Sequence, residues 1–208
     1  ELDPGTASGT FLGAGSWVGA GLAFSPSGNL YASNRGGKLY EVDPVNGNGT
    51  LIGAGSWVGA GLAFSPSGDL YASNGGGKLY SINPLTGSGT LIGTGSWVGE
   101  GLAFSSSGEL YASNGGGKLY QLDLGTGAGS LVGSGSWVGA GLAFSATDEL
   151  YASNGGGKLY QLDLATGAGT LVGSGSWFGE GLAFAPIPEP GTALLMGLGL
   201  AGLAARRR

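Results

Sequence analysis

Five tryptophans recur at a constant spacing of 40 residues, and this period constrains the fold more than any other feature of the chain. They are Trp17, Trp57, Trp97, Trp137 and Trp177. A repeat of this length is a whole supersecondary unit that buries its apolar faces against neighbouring copies. We therefore predict one repeat-built body over 1–185, with complete copies at 17–56, 57–96, 97–136 and 137–176 and partial copies at 1–16 and 177–185.

Each copy contains four short apolar runs separated by turn-forming residues. In the first copy these runs are GLAF, NLYAS, KLYEV and TLIG, and they are divided by SPSG, NRGG and DPVNG. Strands joined by such short turns pair antiparallel, since parallel neighbours need a crossover of a dozen or more residues. Consecutive apolar residues such as Leu22-Ala23-Phe24 indicate that both sheet faces are covered. We predict an all-β, β-propeller-like array of four-stranded antiparallel blades, with a twisted β-solenoid as the alternative.

The two ends of the body align with parts of a single copy. Glu1-Leu2-Asp3-Pro4 matches Glu41-Val42-Asp43-Pro44, and the only methionine is Met196. The simplest interpretation is a fragment that lacks upstream repeats and a signal peptide. Residues 1–13 and 177–184 are candidates to close a fifth blade together, although that blade would lack an LYASN strand.

The composition disfavours most catalytic chemistry. The 208 residues include no Cys and no His, which removes thiolate sites and the commonest metal ligand and general base. Without the tail, the body has a net charge of about −7, which argues against nucleic acid as a partner. We expect no catalytic residues, no metal site, no cofactor and no enzyme activity.

Two Gly-rich patterns resemble nucleotide-binding motifs but fail on their context. GAGSWVGAG recurs in every copy without a following helix, and Leu119 stands where a phosphate loop would need Ser or Thr. A recurrent acidic position also has a structural interpretation, because one copy replaces the acid with Asn83. We predict that this position caps a turn, as Asp and Asn both do; its acidic members are Asp3, Asp43, Asp123 and Asp163.

One recurrent set of residues is a candidate for ligand contact, because an aromatic platform with amide and ammonium donors suits a sugar. The set is Trp17, Trp57, Trp97, Trp137, Asn34, Asn74, Asn114, Asn154, Lys38, Lys78, Lys118 and Lys158. The competing interpretation, which we favour, has Trp in the core between blades, Asn in the turn and Lys in solvent.

The last 23 residues, PIPEPGTALLMGLGLAGLAARRR, differ abruptly from the repeats. They resemble the PEP-CTERM sorting signal, in which a Pro-Glu-Pro motif precedes an apolar helix and an Arg cluster. The motif is Pro188, Glu189 and Pro190. The candidate anchor residues are Leu194, Leu195, Leu198, Leu200, Leu203, Arg206, Arg207 and Arg208.

The physical properties of this tail agree with the resemblance. A helix over 191–205 would be about 22 Å long, a marginal span for a hydrocarbon layer of about 30 Å. The arginines would stay on the cytoplasmic side and leave the repeats outside. A buried C-terminal helix is the alternative, but the terminal arginines argue against it.

The resemblance to PEP-CTERM proteins implies a processing partner and a destination. Such proteins are substrates of exosortase, a membrane enzyme of Gram-negative bacteria that also make exopolysaccharide. It implies export, a transient inner-membrane anchor, and then a cell-surface or extracellular location with polysaccharide as a possible partner.

Three functions are compatible with these features. The first is a structural or interaction scaffold in an extracellular matrix, which needs only the repeats and the tail. The second is a multivalent lectin, since near-identical blades resemble tachylectin-type propellers. The third is a propeller hydrolase, since GLAFSPSGNLYASN resembles the gluconolactonase-like family; near-identical blades, however, cannot supply one set of distinct ligands.

Overall fold

The computed structural model describes residues 2–11, 19, 21–57, 59–97, 99–137, 139, 141–177 and 181–185. The predicted C-terminal apolar helix lies outside these residues, as do Trp17 and the whole of 186–208.

Four sheets of four strands follow one another along the chain, one per repeat. The first comprises β1 (Gly21–Phe24), β2 (Leu30–Ser33), β3 (Lys38–Val42) and β4 (Gly49–Ala54). The second comprises β5 (Gly61–Phe64), β6 (Leu70–Ser73), β7 (Lys78–Ile82) and β8 (Gly89–Thr94). The third comprises β9 (Gly101–Phe104), β10 (Leu110–Ser113), β11 (Lys118–Leu122) and β12 (Gly129–Ser134). The fourth comprises β13 (Gly141–Phe144), β14 (Leu150–Ser153), β15 (Lys158–Leu162) and β16 (Gly169–Ser174).

Within each sheet the strands form an antiparallel meander in sequence order. In the first sheet, Gly21 of β1 lies opposite Ser33 of β2, and Phe24 lies opposite Leu30. The pairing of β3 with β4 shifts register between Leu39 and Tyr40, and the other sheets shift at the equivalent place. Such a bulge bends the outermost strand and makes its edge a poorer template for pairing with other chains. The predicted array of four antiparallel blades is confirmed.

The turn between the first two strands of a blade depends on a residue with positive φ. Gly28 has a φ of 91°, and its N–H donates to the carbonyl of Ser25 over 2.9 Å. Gly adopts this conformation without steric cost, whereas other L-residues adopt it reluctantly. In the fourth copy Asp148 takes the same position with a φ of 63°. A contact with the neighbouring blade accompanies this exception, as described below.

The hydrophobic core lies between blades rather than within one sheet. The first cluster joins Ala23 and Leu39 of the first blade to Trp57, Leu62 and other residues of the second. The next two clusters repeat this arrangement one blade further on. Tyr and Phe also meet across each junction, with ring centroids 5.0 Å apart for Tyr31 and Phe64. Each blade is therefore stabilised mainly by its two neighbours.

The innermost strands approach so closely that their first residue must be glycine. A Cβ added to Gly61 would lie 2.8 Å from the backbone nitrogen of Leu102. The same crowding recurs from Gly21 to Leu62, from Gly101 to Leu142 and from Gly141 to Leu182. A Cβ on Gly181 would in turn lie 3.0 Å from the nitrogen of Leu22 in the first blade. The inner contacts thus return to their starting point after five steps around the axis.

Two separated segments occupy the fifth position. Residues 181–185 lie at the axis, and residues 2–11 lie further out, where Leu2 bridges Gly9 as Val42 pairs with Gly49 in the first blade. Ala7, Leu182 and Trp177 share one apolar cluster with the fourth blade. The two ends of the repeat body therefore meet, as their alignment with one copy suggested.

Candidate functional site

The recurrent tryptophans were the leading candidates for ligand contact, and three of them are buried. Trp57, Trp97 and Trp137 have at most 1% of their surface exposed. Each indole N–H donates to a carbonyl in the third turn of its own copy: the acceptors are Gly87, Gly127 and Gly167, at 2.7 to 2.8 Å. A buried ring whose N–H is already satisfied offers no face to a sugar. At these positions the structure has the core arrangement that the sequence favoured.

The glycines around each tryptophan pack against the indole ring. Added Cβ atoms on Gly55, Gly59 and Gly89 would lie 2.6, 2.4 and 2.5 Å from atoms of the Trp57 ring. Any larger residue would displace the indole or the backbone that encloses it. The GAGSWVGAG pattern thus has a packing role, which agrees with its rejection as a nucleotide fingerprint.

The asparagines of the candidate set organise a turn. The side-chain oxygen of Asn114 accepts hydrogen bonds from the backbone N–H of Gly116 at 3.0 Å and of Lys118 at 2.8 Å. The other three copies repeat this pair of bonds. Because both bonds use the acceptor atom of the amide, turn formation accounts for the recurrence of Asn.

The four lysines of the set begin the third strand of each blade, beside these turns, and all are exposed. Trp97, Asn114 and Lys118 therefore do not converge on one open surface, since the indole is inside, the amide is engaged by its turn and the ammonium is in solvent. Among the members of the set that the structure describes, the exposed ones are Lys38, Lys78, Lys118 and Lys158.

The recurrent acidic position caps the turn between the third and fourth strands. The carboxylate of Asp123 accepts hydrogen bonds from the hydroxyl and the N–H of Thr126, both at 2.8 Å. Asn83 accepts from the N–H of Leu85 and of Thr86 with its amide oxygen. The predicted capping role is confirmed.

These bonds stabilise the charged form of the carboxylate. The hydroxyl of Thr126 is the main cause that lowers the pKa of Asp123, and the hydroxyl of Thr166 does the same for Asp163. For Asp3, the N–H of Gly5 is the main cause that lowers the pKa. Each carboxylate is fully exposed, so water screens the effect.

A cavity of about 250 Å³, which the sequence did not predict, lies at the end of the inner strands that carries the phenylalanines, opposite the glycines that begin these strands. We call it the axial mouth, and its wall is a ring of equivalent phenylalanines with the residue that follows each of them, which is serine in the four blades and Ala185 at the fifth position. The phenylalanines are Phe24, Phe64, Phe104, Phe144 and Phe184. The available signal was the fivefold recurrence of GLAF, which places one aromatic residue per inner segment at the same height.

The blades around the axial mouth are nearly equivalent, but one hydrogen bond there is not repeated in the other described blades. Asp148 accepts from the backbone N–H of Ser106 in the preceding blade, at 2.8 Å. The first two copies have Pro26 and Pro66 at the position of Ser106, and proline has no N–H to donate. Asp148 is also the one carboxylate among the residues that line the mouth.

Among the described residues, no three carboxylates lie close enough together to hold a metal ion. The same part of the chain contains no helix long and apolar enough to cross a membrane.

The described body is a β-propeller of near-identical blades, and solved structures with this fold resemble it. Hydrazine synthase of Kuenenia stuttgartiensis matches with a TM-score of 0.51 and 20% identity, over 73% of this chain and 47% of that chain. A chain of the nidogen/laminin complex matches with a TM-score of 0.61 and 16% identity, over 80% and 68%.

A third similar structure is a protein of unknown function from Bacteroides thetaiotaomicron VPI-5482, with a TM-score of 0.55 and 15% identity over 73% and 42%. This chain thus spans about half of the hydrazine synthase chain, and these likenesses concern the fold alone. No curated protein sequence matches the chain significantly.

The tail provides the more specific identification. Residues 186–208 match the PEP-CTERM protein-sorting motif, which is the motif that exosortase recognises. The chain is therefore a propeller protein with a C-terminal membrane-anchor sorting signal for export.

Proposed function

We propose that this protein is a surface-displayed interaction scaffold, released from the inner membrane by exosortase and held in an exopolysaccharide matrix. The observation that carries the proposal is the direct succession of the two parts: Phe184, in the last inner segment of the propeller, lies two residues before the sorting motif begins at residue 186. The sorting machinery thus has a folded, repeat-built body as its cargo.

The regularity of the body supports a scaffold rather than an enzyme. The recurrent polar residues serve turns: Asn114 and Asp123 both bond to backbone within their own turn. The most conspicuous aromatic residues serve the core, as Trp97 does. A catalytic site needs distinct groups converging on one point, whereas near-identical blades supply the same groups at separate points.

The exposed lysines support polysaccharide as the partner class. One lysine per blade, at the same turn in all four, allows a polysaccharide chain to accept several weak hydrogen bonds from ammonium groups at once and to gain avidity. This proposal differs from stacking on tryptophan, which burial of the indole excludes at Trp57, Trp97 and Trp137.

Fractionation of a Gram-negative host that has exosortase tests the sorting step. We expect the unaltered chain to lose its tail and reach the surface or the medium. Replacement of Pro188, Glu189 and Pro190 with Ala should leave the full-length chain in the inner membrane. Pro44→Ala, at an exposed turn of the body, is the matched control and should be processed normally. Normal release of the triple variant would contradict the proposal.

Retention of the protein on an immobilised exopolysaccharide tests the partner class. Replacement of Lys38, Lys78, Lys118 and Lys158 with Ala should weaken retention stepwise as each replacement is added. Unchanged retention by the fourfold variant would exclude this surface.

A further inference from the structure

The last inner segment of the propeller runs along the axis toward the axial mouth. Residues 181–184 repeat the GLAF sequence of β1, and an added Cβ on Gly181 would lie 3.0 Å from the nitrogen of Leu22, much as at the start of a complete blade. Phe184 and Ala185, at the other end of the segment, line the mouth. The chain therefore enters this segment at the glycine end of the axis and leaves the propeller at the mouth.

The sorting tail follows this exit without a long linker. Six residue steps separate Ala185 from Gly191, where the apolar stretch begins. Six residues span at most about 22 Å, whatever conformation they adopt. The headgroup layer occupies about 5–8 Å on each side of the hydrocarbon. With the apolar stretch in the membrane, the mouth therefore lies within about 17 Å of the headgroups.

Among the described residues, every basic side chain lies at the opposite end of the blades. In the first blade, β2 starts at Leu30, opposite Phe24, and finishes at Ser33, opposite Gly21. The turn after β2 is therefore at the glycine end, away from the mouth. These turns and the strand residues that follow them carry Arg35, Lys38, Lys78, Lys118 and Lys158. We call this end of the propeller the lysine end.

The reach of the tail decides which end of the propeller faces the membrane. Four adjacent strands extend about 14 Å from first to last, and four residues of an inner strand are about 10 Å long. A tail that leaves at the mouth would have to cover both lengths, and then the headgroup layer, to bring the lysine end to the membrane. The total is about 30 Å, whereas the tail reaches about 22 Å. The tail is therefore too short for that orientation.

We propose that, before cleavage, the axial mouth faces the membrane and the processing enzyme while the lysine end points away, so that cleavage at the sorting motif uncovers the mouth. This orientation rests on the membrane anchoring and the cleavage of the proposed function. The lysines are then accessible to polysaccharide while the chain is still anchored. The phenylalanine-lined mouth becomes accessible to large molecules only after release.

A single-cysteine comparison measures the orientation, because the chain has no native Cys. Ser106→Cys places a thiol beside the mouth, and Gly75→Cys places one at the lysine end, where nothing lies within 4 Å of an added Cβ. Each full-length variant is labelled with a donor dye and reconstituted into phosphatidylcholine vesicles that carry an acceptor dye on the headgroups. A neutral lipid is used because an anionic surface would attract the lysine end. We expect stronger energy transfer from the dye on the Ser106→Cys variant.

A spacer tests whether the short tail is the cause. Insertion of about twenty Gly and Ser residues between Ala185 and Pro186 adds a flexible linker with an r.m.s. length of about 25 Å. We expect the insertion to abolish the difference between the two dye positions. Equal or stronger transfer from the Gly75→Cys variant without the spacer would overturn the orientation and leave the anchor intact. No transfer from either variant would overturn the anchor as well.

Thiol labelling in spheroplasts tests the uncovering of the mouth. Replacement of Pro188, Glu189 and Pro190 with Ala keeps the body anchored, and the cleaved, released chain is the control. In the anchored chain, a long polyethylene glycol maleimide should modify Gly75→Cys faster than Ser106→Cys, and this difference should be lost in the released chain. Equal rates in the anchored chain would contradict the proposal. Cleavage is scored separately by the size of the chain, so a failure of sorting is distinguished from a failure of the orientation.

Discussion

The indole N–H of Trp177 donates to the carbonyl oxygen of Ala7 over 2.9 Å, and this bond joins residues 170 positions apart. It reproduces the bond that Trp57, Trp97 and Trp137 each make to a residue 30 positions later. Ala7 itself is fully buried. The N-terminal segment therefore has the place that the third turn has in a complete blade, and it ties the last blade to the start of the repeat body.

This bond predicts that Trp177 contributes to global stability. Trp177→Ala should destabilise the chain, because it empties the junction between the fourth blade and residues 2–11. The loss should be smaller than for Trp97→Ala, since Trp177 is only partly buried. Urea denaturation followed by circular dichroism measures both. An unaltered midpoint for Trp177→Ala would mean that residues 2–11 are not docked in solution.

Trp97→Ala distinguishes the core from a binding platform. A fully buried indole costs about 3–5 kcal/mol when truncated to Ala, a large part of a typical total of about 5–15 kcal/mol. We expect a strongly lowered melting temperature. Trp97→Phe, which keeps most of the packing and loses the N–H, should cost less. A normal melt of Trp97→Ala with loss of polysaccharide binding would instead favour the lectin.

The close approach of the inner strands at the axis predicts that two Gly→Ala substitutions will differ in their effect on stability. Gly101→Ala should destabilise the chain by about 1–3 kcal/mol or more, because the new methyl group would meet the backbone of Leu142 at 2.7 Å. Gly155→Ala is the control, since nothing lies within 4 Å of its added Cβ. We expect that variant to stay within about 0.5 kcal/mol of the unaltered chain. Chemical denaturation of both proteins is the measurement, and equal effects would contradict the close approach of the inner strands.

The Asn-Gly turns predict a difference between two residues of the candidate set. Asn114→Ala removes an oxygen that accepts two backbone hydrogen bonds, and each is worth about 0.5–1.5 kcal/mol. Lys118→Ala changes an exposed side chain and should leave stability within about 0.5 kcal/mol. Thermal melting distinguishes them. A stable Asn114→Ala protein would reopen a ligand role for that amide.

The capped turns predict a small loss of stability in acid. Because hydrogen bonds lower the pKa of Asp123 and Asp163 in the folded state, their stabilisation is present above the ordinary pKa of 3.8 and is lost as pH falls through the lower folded value. The double variant Asp123→Asn, Asp163→Asn should melt nearly as the unaltered chain does at pH 7. The melting temperature of the double variant should depend less on pH below about 4 than that of the unaltered chain.

Asn83 provides the internal comparison for this prediction, since it forms the same turn without a titrating group. Melting temperatures collected between about pH 7 and pH 2.5 test the effect. Identical pH profiles for the double variant and the unaltered chain would contradict it.

The strands were predictable because their determinants are local. GLAF and KLYEV correspond to β1 and β3, and the turn residues around Gly28 act as their chemistry indicates. The outer strand proved longer than the TLIG run, because β4 begins at Gly49 and extends to Ala54. Glycine is uncommon in strands, but Gly53 of β4 lies against the backbone of Thr86 in the next blade and must be small. Such a requirement comes from a neighbour and is invisible within one repeat.

The candidate site was harder to predict, because the same residue type suits both core and surface. Trp97 has the composition of a sugar platform and the position of a core wedge, and only its burial decides between them. The axial mouth depends on Phe24 and Phe184 converging from distant parts of the chain. Closure of the ring likewise depends on a contact between residues that are far apart in the sequence, Ala7 and Trp177. Sequence periodicity specifies equivalent positions but not how many of them surround the axis.

The equivalence of the inter-blade junctions has a consequence for folding. Trp57 has its acceptor Gly87 30 residues away, and an equivalent acceptor, Gly127, lies about 70 residues away. Loop closure favours the nearer acceptor by only about 0.7 kcal/mol. A fully denatured chain therefore samples register-shifted arrangements, a characteristic failure of repeat proteins. During synthesis, Gly87 emerges before Gly127 exists, so the order of translation selects the correct partner, and only the bond between Trp177 and Ala7 must wait for the whole body.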